Sequence, residues 1–234
     1  MKKIVVLTGA GISAESGLKT FRDADGLWEG HRVEDVATPE AWDRDPEMVL
    51  DFYNQRRKQA RLAKPNQAHI SLAQLDQFFT TVVITQNVDD LHERAGSKKI
   101  IHLHGELFKV RSTINAKLIY DWQSDLKIGD FCESGSQLRP HIVWFGEEVP
   151  MLIVAASECR DARYCIIVGT SMQVYPAAGL VGFLPKDCEV IYIDPKPTIS
   201  YELNNIKNLS LIKSKASLGV SNLIEQLIGK RETG

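Results

Sequence analysis

The amino-acid sequence predicts an α/β fold in which helices cover both faces of a parallel sheet. Short β-branched runs recur along the 234 residues, and helical stretches alternate with them. Most of these runs are apolar throughout, which is typical of strands buried on both faces. The first run also leads straight into a glycine-rich turn, a feature of nucleotide-binding sheets of this class.

Each predicted element follows from its own pattern. The strands are predicted at 3–7, 81–85, 98–101, 164–168, 189–193 and 208–212. The helices are predicted from Pro39 to about Ala63 and at about 66–78, 88–95, 153–161, 177–184 and 218–228. Two regions, about 29–65 and about 106–138, interrupt the alternation, and we expect them to form a small second lobe.

Composition and charge narrow the class of protein. Lys and Arg number 28 against 30 Asp and Glu, so the net charge of −2 gives no general attraction to nucleic acid or to an anionic membrane. The opening residues have the pattern of a strand rather than of a signal peptide. The four cysteines show no C-x-x-C pair, and we expect reduced, structural thiols in a cytoplasmic protein.

A glycine-rich turn follows the first strand. Gly9, Gly11 and Ala14 match G-x-G-x-x-G/A between a strand and a helix, where backbone amides can approach a pyrophosphate. A tight turn that binds nothing is the alternative. An ordinary dehydrogenase has a second strand and an acidic residue soon afterwards, but this chain has a charged loop at 20–28, which suits a segment that closes over a nucleotide.

Polar residues follow two further strands. Gln86, Asn87 and Asp89 come directly after the run at 81–85, at the strand end where α/β sheets bind ligands. Helix capping by Asn87 or Asp89 is the alternative. Glycine and hydroxyl residues at 169–171 also follow a strand, so we expect the two glycine turns to form one nucleotide cleft.

Two histidines lie two residues apart in the run IIHLHGEL. In an extended segment His102 and His104 share one face, which suits a metal pair or a proton-transfer histidine. A structural histidine is the alternative for each. Gly105 follows at once, and we expect it to let a ligand approach His104.

Five blocks of the sequence, in this order, resemble the sirtuins, which are NAD-dependent protein lysine deacylases. The blocks are GAGISAESGLKTFRDADGLW, QNVDDLHERAG, HLHG, RPHIVWFGE and GTSMQVYPAAG. The resemblance spans nearly the whole chain and looks like the bacterial deacetylase and desuccinylase type. It implies one catalytic unit over 1–234, with a Rossmann-like domain at about 1–28, 66–105 and 139–234 and a small lobe from insertions at about 29–65 and 106–138.

The resemblance also implies the reaction and the residues that take part in it. NAD would be consumed, an acylated protein or peptide would lose its acyl group, and nicotinamide and O-acyl-ADP-ribose would be released. His104 would be the general base for the ribose hydroxyls, with Asn87 and Asp89 as further catalytic residues. The positions implied for NAD binding are Gly9, Ala10, Gly11, Ala14, Glu15, Thr20, Phe21, Arg22, Trp28, Gln86, Asn87, Asp89, Gly169, Thr170, Ser171, Asp194, Pro195, Lys196 and Ala216. The substrate peptide would pair as an added strand with the extended backbone of Val143, Trp144, Phe145, Gly146 and Glu147.

Helical spacing supports an expectation about the acyl group. Tyr53 and Arg56 are three residues apart and share one helix face. The pair resembles the Tyr and Arg of sirtuins that accept succinyl-lysine and malonyl-lysine, and these two side chains can bind a terminal carboxylate by charge-assisted hydrogen bonds. We therefore predict removal of succinyl and malonyl groups alongside acetyl. A solvated basic helix face is the alternative.

The sequence departs from the family pattern where many sirtuins hold a structural zinc. Between Gly105 and Arg139 there is a single cysteine, Cys132, and one cysteine cannot build a tetrahedral thiolate site, so we predict no zinc. Apolar packing would then have to stabilise the lobe, through Ile114, Leu118, Ile119, Tyr120 and Trp122.

Two other functions stay open on the sequence. One is a protein mono-ADP-ribosyltransferase, which would share the cleavage of NAD but pass ADP-ribose to a protein side chain. The other is a non-catalytic module that binds NAD. His102 has no role under the resemblance and is interpreted as structural.

Overall fold

The fold comes from a computed structural model, which describes residues 1–19, 27, 28 and 30–232. The strands are β1 (Lys3–Thr8), β2 (Leu27–Trp28), β3 (His31–Arg32), β4 (Thr80–Thr85), β5 (Ile100–His102), β6 (Gly105–Ser112), β7 (Ile119–Asp121), β8 (Leu138–Ile142), β9 (Tyr164–Val168), β10 (Glu189–Ile193) and β11 (Leu209–Ile212). The helices are α1 (Ala10–Ala14), α2 (Val33–Val36), α3 (Pro39–Arg44), α4 (Pro46–Leu62), α5 (Gln67–Gln74), α6 (Leu91–Ala95), α7 (Leu152–Cys159), α8 (Tyr201–Asn204) and α9 (Ala216–Glu232). Leu75–Gln77 and Ala177–Phe183 form 3-10 helices.

Six strands form one parallel sheet in the order β11, β10, β9, β1, β4, β5. The chain runs outward from β1 to β4 and β5, and it then returns to add β9, β10 and β11 on the other side of β1. The predicted α/β fold is therefore confirmed, and the topological switch point of the sheet lies between β1 and β9. At such a point the carboxyl ends of the strands leave a crevice in which ligands bind.

Side chains of β1 pack alternately on the two faces of the sheet. Val5 and Leu7 join a core with α7, whereas Ile4 and Val6 join a core with α5 and α9. Because helices cover both faces, successive positions of β1 are apolar, which explains the unbroken β-branched run. The same packing fixes the glycine turn that follows β1 at the carboxyl end of the sheet.

The helix predicted from Pro39 to about Ala63 is two helices, α3 and α4. The break falls at Asp45, whose backbone is not helical and whose side chain accepts a hydrogen bond from the Met48 amide at 2.9 Å. Pro46 explains the break, because proline lacks an amide proton and disfavours helical backbone at the residue before it.

Two other helices differ from expectation in length or type. α6 begins at Leu91 rather than at 88, and just before it the Asp89 carboxylate accepts the Leu91 amide at 3.1 Å. Asp89 thus contacts the first helical amide, close to the capping role that the sequence left open as an alternative to a site role, although the N-cap residue itself is Asp90. The stretch predicted at 177–184 is a 3-10 helix.

An antiparallel sheet in the order β7, β6, β8 lies in the region of the predicted insertions. The expected boundary between the small lobe and the Rossmann-like domain at 138/139 falls inside β8, which pairs with β6 of the small sheet. The remaining lobe boundaries stay a prediction. Gly105, which begins β6, has a φ of +86°, and a Cβ there would lie 2.0 Å from the His141 carbonyl oxygen. The close approach of β8 therefore explains this glycine, and no ligand beside His104 is needed to account for it.

The apolar residues expected to stabilise the lobe without zinc do so only in part. Leu118, Tyr120 and Trp122 pack against a buried cluster beneath β6. Ile114 and Ile119 are 85% and 42% exposed, so the expectation is wrong for these two residues. Most of the Ile114 surface and 42% of the Ile119 surface remain in water, and the exposed part contributes little to stability.

Buried hydroxyl groups and a thiol connect the lobe in the region where the family zinc would be expected. Ser112 Oγ lies 2.6 Å from Ser136 Oγ, and Cys132 Sγ lies 3.0 Å from both Ser136 Oγ and Ser134 Oγ. One thiol among neutral hydroxyl groups does not fit a tetrahedral zinc ion. Within the residues that the structure describes, no group of three His, Cys, Asp or Glu side chains is placed to hold a metal. The absence of zinc itself stays a prediction.

We expect a chelator to leave the melting temperature unchanged, because we predict that the lobe holds no zinc and that this cluster stabilises it instead. Ser136→Ala should lower the free energy of unfolding by about 1–3 kcal/mol, since it removes the shared partner of buried Ser112 and Cys132. The exposed hydroxyl of Ser134 supplies the matched control, and Ser134→Ala should have a much smaller effect. Thermal unfolding of the wild type and the two variants, with and without EDTA and with metal analysis, measures the chelator effect and the effect of each substitution. A melting temperature that falls with EDTA contradicts the prediction that no zinc is bound.

Two fully buried histidines pack against each other between α5 and α6. The ring centroids of His69 and His92 are 4.9 Å apart, and His92 Nε2 lies 3.0 Å from Thr8 Oγ1. Burial lowers the pKa of His69 to about 4 and holds the pKa of His92 well below its ordinary value. Both rings are therefore neutral in the folded protein at neutral pH.

This pair predicts that acid destabilises the protein. A lowered pKa in the folded state means that the unfolded chain binds more protons, so the stabilisation is complete above about pH 6.5 and is lost as the pH falls. His69 alone should account for about 2 kcal/mol between about pH 7.5 and about pH 5. His69→Gln should reduce this pH dependence because it removes the titrating ring. Glutamine at this third helical position still suits the capping box with Asn66, so the variant should keep that contact. Denaturant unfolding at both pH values measures the free energy of unfolding. If its change between the two pH values is the same in the variant as in the wild type, His69 is excluded as a source of the acid sensitivity.

All four cysteines are free and buried, in agreement with the expected thiols. Burial raises the pKa of Cys159, Cys165 and Cys188. Hydrogen bonds from two neighbouring serine hydroxyl groups lower the pKa of Cys132 to about 6, which the sequence did not indicate. Among the described residues, no helix combines the length and apolar character needed to cross a membrane.

Candidate active site

A cavity of about 360 Å³ opens at the switch point of the sheet, where β1 and β9 end. Its walls come from the carboxyl ends of the parallel strands, from α4 and from the segment after β8. The lining residues that the sequence predicted are Gly9, Ala10, Gly11, Tyr53, Arg56, Gln86, Asn87, Asp89, His104, Val143, Trp144, Phe145, Glu147, Gly169, Thr170, Ser171 and Asp194. The structure thus brings the nucleotide, acid–base and acyl-group candidates into one space.

The glycine turns after β1 and β9 pack directly against each other. The Gly11 amide donates to the Gly169 carbonyl oxygen at 2.8 Å, and the Gly9 amide donates to that of Val168 at 3.1 Å. A Cβ on Gly11 would lie 2.7 Å from Gly169 Cα, and Gly169 has a φ of +60°. The glycines are therefore needed for this close approach whether or not a ligand is bound. The expected cleft between the turns forms, although two of its amides already have partners within the turns.

Ser13 connects the two residues after β4 that were predicted to be catalytic. Asn87 Nδ2 donates to Ser13 Oγ at 3.0 Å, and Ser13 Oγ donates to Asp89 Oδ2 at 3.1 Å. Gln86 Nε2 donates to Thr170 Oγ1 at 3.1 Å and ties this segment to the turn after β9. Burial raises the pKa of Asp89, although its hydrogen bonds oppose that shift.

His102 and His104 contact successive backbone carbonyl groups of the segment after β4. His102 Nδ1 lies 3.0 Å from the Asn87 carbonyl oxygen, and His104 Nδ1 lies 3.1 Å from that of Gln86. Since a carbonyl oxygen only accepts, both Nδ1 atoms carry a proton. Neutral His104 therefore has its lone pair on Nε2, and burial lowers its pKa, which favours this neutral form.

The adjacent arginines of α4 have different surroundings. Arg56 lines the cavity with Tyr53, whose hydroxyl oxygen accepts a hydrogen bond from Trp144 Nε1 at 3.1 Å. Arg57 is fully buried outside the lining, and its Nε donates to the Leu107 carbonyl oxygen at 3.0 Å. The family resemblance indicated Arg56 as the partner of Tyr53, at an i,i+3 spacing that puts both on one helix face, and the structure brings these two residues to the same cavity.

The segment predicted to be an extended edge, 143–147, is largely a turn. It bends at Gly146, which has a φ of +91°. The Glu147 carboxylate accepts hydrogen bonds from Arg111 at 3.0 Å and from Arg139 at 2.7 Å. The expectation of extended backbone is therefore wrong for the end of this segment, because two arginines draw the Glu147 carboxylate back onto the small sheet.

Other predicted positions lie away from the lining. These are Ala14, Glu15, Gly146, Pro195, Lys196 and Ala216. Glu15 instead accepts hydrogen bonds from the amide and the hydroxyl of Ser217, at 2.9 Å and 2.6 Å, at the start of α9. Thr20, Phe21, Arg22 and the side chain of Trp28 fall outside the described residues.

The sequence interpretation missed some of the lining. Ser13 was not selected, although its place in the first turn after the glycine motif was an available signal. Val174, Tyr175 and Pro176 also line the cavity, on the far side of the second glycine turn. Val174 and Pro176 carry no chemical signal of their own, and only the three-dimensional fold shows that these two residues and Tyr175 face the cavity.

A cavity at the switch point of a parallel sheet, between two glycine turns, defines a Rossmann-like nucleotide-binding site. A neutral histidine and a buried carboxylate in the same lining add an acid–base centre. The class of protein is therefore a nucleotide-dependent α/β enzyme with its chemistry at the strand ends.

Comparisons with known proteins identify the family. The family model described as Sir2 family matches residues 9–176. A Helicobacter pylori protein named NAD-dependent protein deacylase is 53% identical over 228 residues, which cover 97% of this chain and 98% of that protein. A Bacteroides thetaiotaomicron protein of the same name is 50% identical over 234 residues, covering 97% and 99%. The chain belongs to the Sir2 family.

Solved structures agree with this assignment. A Sir2 homologue in complex with ADP-ribose has a TM-score of 0.89 at 41% identity, covering 100% of this chain and 94% of that one. A complex of a Sir2 homologue with NAD has a TM-score of 0.86 at 42% identity, covering 98% and 90%. The nucleotide in these relatives matches the class of ligand that the cavity suggests.

Proposed function

We propose that this chain is an NAD-dependent protein lysine deacylase that removes succinyl and malonyl groups as well as acetyl groups. The observation that carries the proposal is the shared cavity. Tyr53 and Arg56 line the same space as His104 and the two glycine turns. An acyl chain that reaches the acid–base centre can therefore place a terminal carboxylate beside a phenol and a guanidinium.

The family supports the use of NAD. Relatives that are 50–53% identical over nearly the whole chain are named NAD-dependent protein deacylases, and solved relatives contain NAD or ADP-ribose. The residues present fit such a ligand, because both glycine turns line the cavity at the strand ends and Asp194 can accept ribose hydroxyl protons. When bound, NAD supplies an electrophilic ribose carbon with nicotinamide as its leaving group.

His104 has the properties of a general base. The Gln86 carbonyl oxygen fixes the proton on Nδ1, so Nε2 is the atom that can take a proton from a ribose hydroxyl. Its lowered pKa keeps the ring neutral at neutral pH. Asn87, Ser13 and Asp89 form a continuous hydrogen-bond chain in the same lining, which fixes these side chains relative to one another.

Tyr53 places a protonated phenol in the lining of the cavity that an acyl group would enter. Burial raises the pKa of its phenol far above the ordinary value, so the hydroxyl keeps its proton. The indole of Trp144 can only donate, so it uses the Tyr53 hydroxyl oxygen as its acceptor and helps to fix the position of the phenol. Together with Arg56, this geometry supports preference for a carboxylate over a methyl group.

Mass spectrometry of matched acetyl-lysine and succinyl-lysine peptides, with and without NAD, tests the proposal. We expect NAD-dependent loss of both acyl groups with formation of O-acyl-ADP-ribose. His104→Ala protein prepared in the same way controls for contaminating activity. Loss of acetyl alone would remove the acyl-group part of the proposal. ADP-ribose found on protein, with no acyl loss, would replace deacylation by ADP-ribosyl transfer.

A further inference from the structure

His102 is the one of the two neighbouring histidines to which the family resemblance gives no role. Its Nδ1 donates to the Asn87 carbonyl oxygen at 3.0 Å, and its Nε2 lies 2.7 Å from Glu93 Oε1. The Glu93 side chain is 41% exposed, so the carboxylate is ionised at neutral pH and only accepts. Two acceptors require two protons on the ring, so His102 is an imidazolium cation.

His104 makes the same contact one carbonyl group earlier but remains neutral. The charged and titratable groups around His102 are Glu93 and His92 on α6, Glu106 and Lys109 on β6, and Asp89 after β4. Burial by itself lowers the pKa of His102, but the contact with Glu93 outweighs burial and raises the pKa above its ordinary value. Burial alone dominates at His104, whose pKa is lowered.

The position of the cation gives it two effects on the site. It holds the peptide group between residues 87 and 88, on either side of which the Asn87 and Asp89 side chains enter the cavity lining. It also acts on the Asp89 carboxyl group, whose pKa is raised by burial and lowered by the charge of His102. Loss of the cation would free the Asn87 carbonyl from one partner and favour protonation of Asp89.

We propose that His102 is a positioning residue that works as an imidazolium: paired with Glu93, it holds the Asn87 carbonyl group and keeps Asp89 as a carboxylate. The inference rests on the proposed function for its effect on turnover, but the charge state of His102 does not depend on that function. The cation is present below its pKa and is lost as the pH rises through it, so its contribution to the site fails on the alkaline side.

Nuclear magnetic resonance of the histidine ring nitrogens tests the charge state directly. In the ¹⁵N-labelled full chain near neutral pH, we expect a ring that is protonated on both nitrogens and is absent from the His102→Gln spectrum. Glu93→Gln keeps the size of the partner but removes its charge, so the same ring should become neutral at lower pH. A His102 ring that is neutral in the wild-type protein overturns the proposal.

The pH profile of kcat/KM for NAD tests the positioning role. We expect Glu93→Gln to move the alkaline limb of the profile to lower pH by about one unit, and His102→Gln to lower kcat/KM about tenfold. Glu106→Gln is the matched control, because it removes a nearby carboxylate that pairs with Lys109 and not with His102; its profile should shift less. A merely structural ion pair would lower the melting temperature of Glu93→Gln without moving the limb, and that result overturns the positioning role.

If the wild-type protein removes no acyl group, the proposed function fails. The positioning role of His102 is then tested by calorimetric NAD binding with the same variants over the same pH range. NAD binding whose pH dependence is the same in the variants and in the wild type would overturn that role.

Discussion

His104→Ala should lower kcat/KM for both acetyl and succinyl peptides by about 10²- to 10⁴-fold, the range for loss of a positioned general base. The variant removes the Nε2 lone pair that the Gln86 contact leaves available. NAD affinity should change little by comparison, because the two glycine turns that provide the dinucleotide cleft are untouched. Steady-state kinetics with each peptide, together with calorimetric binding of NAD, separates these effects.

The matched control for His104 is His141, a second histidine whose pKa is lowered to about 4 by burial but which lies outside the cavity lining. His141→Ala should leave kcat/KM within a few-fold of wild type. The pH profile gives an independent check: a base with a lowered pKa loses activity as the pH falls through that pKa, so the acid limb should lie below about pH 6.5. Turnover by His104→Ala at the wild-type rate would exclude the general-base role.

Arg56→Met should lower the ratio of kcat/KM for succinyl over acetyl peptide by about 30-fold or more, because a carboxylate in the cavity then loses its charged partner. Most of the change should appear as a higher KM for the succinyl peptide. The acetyl group has no charge to lose, so its removal should fall much less. Kinetics of the two peptides on one protein preparation measure the ratio without dependence on the active fraction.

The adjacent Arg57 provides the matched control for Arg56→Met. Arg57 has the same guanidinium group but is buried against Leu107 and Asn54, away from the cavity, so Arg57→Met should lower the melting temperature and leave the succinyl-to-acetyl ratio unchanged. Tyr53→Phe should lower the ratio less than Arg56→Met does, since it removes one neutral donor. Equal loss of both activities in Arg56→Met would show instead that Arg56 supports the fold.

Local patterns were sufficient for the parallel sheet and for much of the site. An apolar run followed by Gly9 and Gly11 indicates a strand and a tight turn because both signals lie within about ten residues of chain. Helix geometry puts Tyr53 and Arg56 on one face, although the family resemblance was needed to choose this pair. Predictions failed where a nearby stop signal was overlooked, as at Pro46, and where packing decided exposure, as at Ile114 and Ile119.

The sequence by itself determined the class of fold, the two glycine turns and the residue types available at the strand ends, because periodicity and turn chemistry act between close neighbours in the chain. Only the tertiary structure decided how two similar residues differ in charge, burial and contacts. His102 and His104 differ in charge because Glu93 reaches one ring and not the other. Arg56 and Arg57 differ because only one side of α4 faces the cavity. Charge state, burial and hydrogen-bond partners depend on contacts between segments far apart in sequence, and no local pattern specifies them.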